Sequence, residues 1–99
     1  MKRRVELRPQ AAEELEFAID WYESEREGLG ARFLDAVTQA LETIAENPRL
    51  GASSSETPET RRWVVERFPY LVLYRLTEQS VIVLAIAHGK RRPGYWSDD

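Results

Sequence analysis

Arg75, His88, Arg91 and Tyr95 are residues whose types, taken together, could do chemistry. Cleaving RNA through its own 2′-hydroxyl needs a base for that hydroxyl, cations for the phosphorane charge and an acid for the leaving oxygen. These four supply all three without a metal. They concentrate near the C-terminal end, where the apolar run Val81 to Ala87 leads into His88-Gly-Lys-Arg-Arg-Pro-Gly-Tyr-Trp96. Tyr95 and Trp96 add flat faces of the kind on which unpaired bases stack. A second use of the same segment is recognition. Lys90, Arg91, Arg92, Tyr95 and Trp96 form a cluster suited to gripping a protein, because Arg, Tyr and Trp carry much of the energy of protein interfaces. Plainer roles stand beside both readings. His88 continues the alternation of a strand and could be packed or hydrogen-bonded there, Lys90 to Arg92 could be a solubilising run, and Tyr95 and Trp96 could cover a sheet edge.

Composition narrows the choice. The chain has 99 residues, 42% hydrophobic and 31% charged, which suits one soluble domain over 1–99 with a single core and room for one site. With no cysteine, thiolate nucleophiles, disulfides and thiolate metal sites are excluded, and one histidine cannot build a histidine-based zinc centre. No metal and no cofactor are expected. No segment approaches the length of apolar chain that a membrane span needs, and Met1-Lys-Arg-Arg does not lead into an apolar signal core. A cytoplasmic protein without a membrane partner is expected. The net charge of -3 hides an asymmetry, since residues 9–47 hold ten acids and two bases while residues 61–99 hold seven bases and four acids. One side of the molecule should repel polyanions and another accept them.

The elements that must position these groups can be read from periodicity. Val5 and Leu7 alternate within Arg3 to Arg8, a first strand that Pro9 ends at a helix start. From Gln10 to about Glu27, Ala11, Leu15, Ala18, Ile19 and Tyr22 fall on one helical stripe, with Phe17 and Trp21 as a separate pair beside it. Gly28 and Gly30 interrupt, and Phe33, Val37, Ala40, Leu41 and Ile44 form a second stripe ending at Asn47-Pro48. The two helices must form an antiparallel hairpin. Residues 47–60 lack periodicity and read as a loop. Strands follow at Arg61 to Glu66, Tyr70 to Leu76 and Ser80 to Ala87, with connections short enough for an antiparallel meander. The last strand is apolar on both faces and therefore central, between its predecessor and the N-terminal strand. The predicted fold is α+β, β-α-α-β-β-β, with the helical hairpin across one face of a small, mainly antiparallel sheet.

Five stretches in this order resemble the RelE/ParE family of type II toxin-antitoxin toxins, also called plasmid stabilisation proteins. They are Ile19-Asp-Trp-Tyr22, Ala31-Arg-Phe-Leu34, Asn47-Pro-Arg-Leu-Gly51, the pair Arg62-Trp63 and Phe68-Pro-Tyr-Leu-Val-Leu-Tyr-Arg75, and the close Ala87-His-Gly-Lys-Arg-Arg-Pro-Gly-Tyr-Trp96. The resemblance implies a small bacterial toxin neutralised by a cognate antitoxin whose C-terminal segment wraps around it, in a higher-order hetero-oligomer. Some members act on DNA gyrase; others cleave messenger RNA on the ribosome. Nuclease members carry an arginine just after the position matched by Tyr70, where this chain has Leu71. A missing transition-state cation typically costs on the order of 10² to 10³ in rate, unless Arg75 or Arg62 replaces it. Arg91 does match a tail arginine of the nucleases. The departure at Leu71 favours the ParE branch, a gyrase-binding toxin that is not an enzyme, with the Lys90, Arg91, Arg92, Tyr95 and Trp96 cluster meeting the target. Phe17, Trp21 and Phe33 read as core or hairpin contacts, or as part of an antitoxin groove that Arg62 and Arg75 extend toward acidic antitoxin residues. The alternatives are a ribosome-dependent endoribonuclease using Arg75, His88, Arg91 and Tyr95, and a non-toxic member that only binds an antitoxin.

Overall fold

The computed structural model describes residues 2–53 and 59–89. Strand β1 (Arg4–Leu7) leads directly into helix α1 (Pro9–Glu25), whose first-turn proline forfeits only an N–H that has no partner in a helix. Helix α2 (Leu29–Glu46) runs back beside α1. The turn between them is built on Gly28, whose φ of 87° lies in the left-handed region that glycine enters without a Cβ penalty. Glu23 completes the junction by accepting the backbone N–H groups of Gly28 (3.0 Å) and Gly30 (2.9 Å) at the start of α2. These two bonds hold its carboxyl below the usual value. The helices approach closely at Gly30, where a Cβ would lie 2.8 Å from the Ile19 carbonyl oxygen.

Four further strands complete the sheet: β2 (Ala52–Ser53), β3 (Arg61–Val64), β4 (Tyr70–Leu76) and β5 (Ser80–His88). Their order is β1-β5-β4-β3-β2, with β1 parallel to β5 and every other pair antiparallel. The expected hairpin, meander and central last strand are all present. The difference lies in residues 47–60, where Ala52 and Ser53 add a fifth strand by pairing with Arg62 and Arg61. A two-residue strand carries no periodicity, so only its pairing reveals it.

The main core lies between the hairpin and the sheet. Phe33, Val37 and Ile44 of α2 and Ala11 and Ala18 of α1 meet Val72, Tyr74, Val81, Val83 and Ile86 of the sheet, all buried. A bulge between Leu73 and Tyr74 of β4 sets Leu73 opposite Ala85 and Tyr74 opposite Val83. It shifts the inward set of β5 from Val81 and Val83 to Ile86. On the other face Leu73, Ala85 and Ala87 are also buried, with Leu71 packed beside them. Both faces of β5 are therefore apolar, as a central strand requires.

Candidate functional site

The face of the sheet away from the helices can be assembled from the strand register, because paired residues share a face. Val64 of β3 stands beside Leu71 of β4 and Ala87 of β5; Arg62 stands beside Leu73 and Ala85. Arg75 pairs with Ile82, which pairs in turn with Glu6 of β1. The result is an apolar centre flanked by the exposed side chains of Arg62 and Arg75, with Val64 63% exposed at one side. Leu71 belongs to this centre and is half-buried. Arg3 lies just before β1, its guanidinium donating to the Thr77 carbonyl at 2.7 Å.

One edge of this face is fixed by an interior hydroxyl. Tyr74 is fully buried, its hydroxyl accepting the Gly51 N–H (3.0 Å) and donating to the Pro48 carbonyl (2.8 Å). Burial pushes that hydroxyl above the ordinary tyrosine value. A Cβ at Gly51 would run into the Tyr74 hydroxyl, so the close approach requires glycine. Arg61 adds two bonds from Nη1, to the carbonyls of Arg49 (3.0 Å) and Gly51 (2.7 Å). Together they pin residues 48–51 and deliver the chain to β2, leaving Leu50 55% exposed.

A second region lies on the helix side, where α1 crosses β5. Strand β1 stops at Leu7, opposite Val83, so beyond that point β5 has no strand on its β1 side among the described residues. Glu14 takes over: its Oε1 accepts the Ile86 N–H at 3.0 Å. Beside it Tyr70 and His88, paired across β4 and β5, meet edge to face at 5.5 Å. Burial, and then the negative charge of Glu14, raise the Tyr70 hydroxyl above its usual value. Tyr70 also belongs to an aromatic cluster with Tyr22, Phe33 and Phe68 at centroid separations of 5.0 to 6.1 Å, and Trp21 rests edge-on against Tyr22 at 5.1 Å.

The structure separates the sequence-derived candidates. Phe17 and Trp21 are exposed, at 72% and 49%. Phe33 is not: it has no accessible surface and stands at the centre of the core, so the suggestion that it touches a partner is corrected. Its place in the α2 stripe already carried that signal. Arg62 and Arg75 share the face away from the helices. Arg75 and His88 do not converge. His88 pairs with Tyr70 and faces the helices, whereas Arg75 lies on the opposite face. The two rows also lie five residue steps apart along β4, roughly 17 Å at strand rise. Lys90, Arg91, Arg92, Tyr95 and Trp96 lie outside the described residues. Glu14 and Tyr74 were missed. Glu14 had a readable signal, an acid three residues from Ala11 and four from Ala18 on the inward stripe of α1. The bonds of Tyr74 cross 23 and 26 residues and had no such signal.

Among the described residues no helix is long and apolar enough to cross a membrane. No cluster of three or more His, Cys, Asp or Glu side chains is positioned there to hold a metal ion. Comparison with known proteins places this architecture. The chain is similar to a solved chain of the chromosomal ParDE TA system from P. aeruginosa, with a TM-score of 0.73 and 20% sequence identity over 88% of this chain and 96% of that one. At that identity the likeness establishes the fold. No curated protein matches the sequence. The model of the ParE toxin of type II toxin-antitoxin systems, parDE, matches residues 5–93, nearly the whole chain. This protein belongs to the ParE toxin family of type II toxin-antitoxin systems.

Proposed function

We propose that this chain is a ParE-type toxin that poisons DNA gyrase by binding it, and that a cognate antitoxin silences it by wrapping its C-terminal segment around the toxin. The observation that supports binding over catalysis is the placement of Arg75 and His88 on opposite faces of the sheet. A base and a phosphate-stabilising cation must act within a few ångströms of one phosphate. Leu71 adds to this, since an apolar side chain packed against Leu73 and Ala85 supplies no charge to a phosphorane. Lys90, Arg91, Arg92, Tyr95 and Trp96 remain the residues assigned to the target. Phe17, Trp21, Arg62 and Arg75 are assigned to the antitoxin. Toxin and antitoxin assemble as a hetero-oligomer in the cytoplasm.

Induced expression without a partner gene, followed by primer extension on translated messages, tests this reading against its rivals. Growth arrest with no new cuts in the messages is the expected result. Cuts that disappear in Arg91→Ala would establish the ribonuclease reading instead, and unaffected growth would identify a member that only binds an antitoxin.

A further inference from the structure

Strand β2, Ala52–Ser53, is two residues long and both its side chains are exposed, so burial does not seat it on the sheet. What holds it lies just upstream. Tyr74 and Arg61 together make four hydrogen bonds to residues 48–51, and the last of these, Gly51, is buried against the Tyr74 hydroxyl and leads straight into Ala52. The edge that β2 covers is that of β3. The Val65 N–H donates to the Tyr70 carbonyl at 2.9 Å, so by antiparallel alternation Arg61 and Trp63 turn their backbone groups toward β4, while Arg62 and Val64 turn theirs outward. Ala52 stands opposite Arg62. Val64 comes next along this edge, 63% exposed and with no strand on its outer side among the described residues.

We propose that β2 is a guard strand, latched by Arg61 and Tyr74, which keeps β3 from pairing with β3 of a second copy of this chain. An uncovered strand edge is a template for another strand, and a short cover is one way in which proteins blunt it. The occupant follows from self-complementarity. An antiparallel pair about a two-fold axis at Val64 sets Val64 against its counterpart and places Arg62 of each copy across from Glu66 of the other. Opposite charges then meet twice around a covered apolar centre. An in-register parallel pair would instead set Arg62 beside Arg62. While β2 is in place, Ala52 fills the position that Glu66 of the second copy needs, so the two pairings exclude each other. Arg61 is the latch residue to release, because it is half-buried whereas Tyr74 stands in the core. The inference concerns the free chain and does not rest on the gyrase reading.

The test is sedimentation equilibrium of the full-length chain and its variants. The parent should keep the mass of one chain at every concentration. Arg61→Ala should give a mass that rises with concentration toward that of two chains, while its amide spectrum stays dispersed. Ala52→Pro removes the N–H that β2 turns toward Arg62, at an exposed position, and should do the same even if Arg61→Ala does not fold. In either background Val64→Pro deletes the outward N–H at the centre of the pair, where an edge strand tolerates proline, and should return the mass to one chain. Glu66→Arg should weaken the dimer about tenfold, and adding Arg62→Glu should restore it. A folded Ala52→Pro variant that keeps the mass of one chain would overturn the proposal. So would a parent that dimerises as readily as the variants, or a dimer that Val64→Pro leaves intact.

Discussion

The sheet face away from the helices and the outer flank of α1 are built from similar materials with opposite signs. Each sets exposed apolar groups beside charge: Val64 and half-buried Leu71 with Arg62 and Arg75 on the sheet, Phe17 and Trp21 with Glu13 and Glu14 on the helix. Their backbones differ more. The sheet face is a continuous ladder across β3, β4 and β5, whereas a groove beside α1 exists because β1 ends early and a side chain caps the exposed N–H. A net charge of -3 thus describes neither surface. The physical consequence is that the two surfaces suit partner segments of opposite charge.

The harshest way to break the comparison is to reverse the sheet face. Arg62→Glu with Arg75→Glu should weaken the antitoxin on the order of 10²-fold or more by calorimetry, because the proposed contact pairs these arginines with acidic antitoxin residues, which would then meet like charge. Next in size is the pin at the edge of the sheet face. Tyr74→Phe removes one donor and one acceptor at once, leaving the Gly51 N–H and the Pro48 carbonyl without that partner, and urea unfolding should show a loss of about 1–3 kcal/mol.

Smaller effects sharpen the helix side. Trp21→Ala should reduce antitoxin affinity about tenfold, as truncation of an aromatic anchor does, and cost about 1 kcal/mol of stability through the lost edge contact with Tyr22. The smallest effect is expected at Glu23. Its folded-state pKa is lowered by the Gly28 and Gly30 N–H bonds from 4.5, so its contribution to stability is present above that value and is lost as pH falls through the lower folded-state pKa. Comparing melting temperatures from pH 6 downward should show a shallower acid decline for Glu23→Gln than for the parent.

What the sequence made legible follows from the range of the interactions involved. Strand β4, Tyr70–Leu76, was readable end to end because its alternation and flanking turns are local. The hairpin was equally plain from two stripes and the glycines between them. The central position of β5 followed from its two apolar faces. The short β2 was hidden because it depends on Tyr74 and Arg61, which reach it across the fold. The bulge was hidden for a related reason: in a run apolar at every position, no alternation exists for it to interrupt. At the candidate site, sequence supplied residue types and the structure supplied faces. His88 and Arg75 looked like one constellation until register placed them apart, while Glu14, beside the inward stripe of α1, was singled out only by its bond to Ile86.

The most direct test of binding without catalysis is a supercoiling and cleavage-complex assay with purified gyrase, plasmid DNA and this protein. Loss of supercoiling with accumulation of cleaved plasmid, reversed by adding the antitoxin, is the predicted result. Unchanged gyrase activity at saturating protein would contradict it.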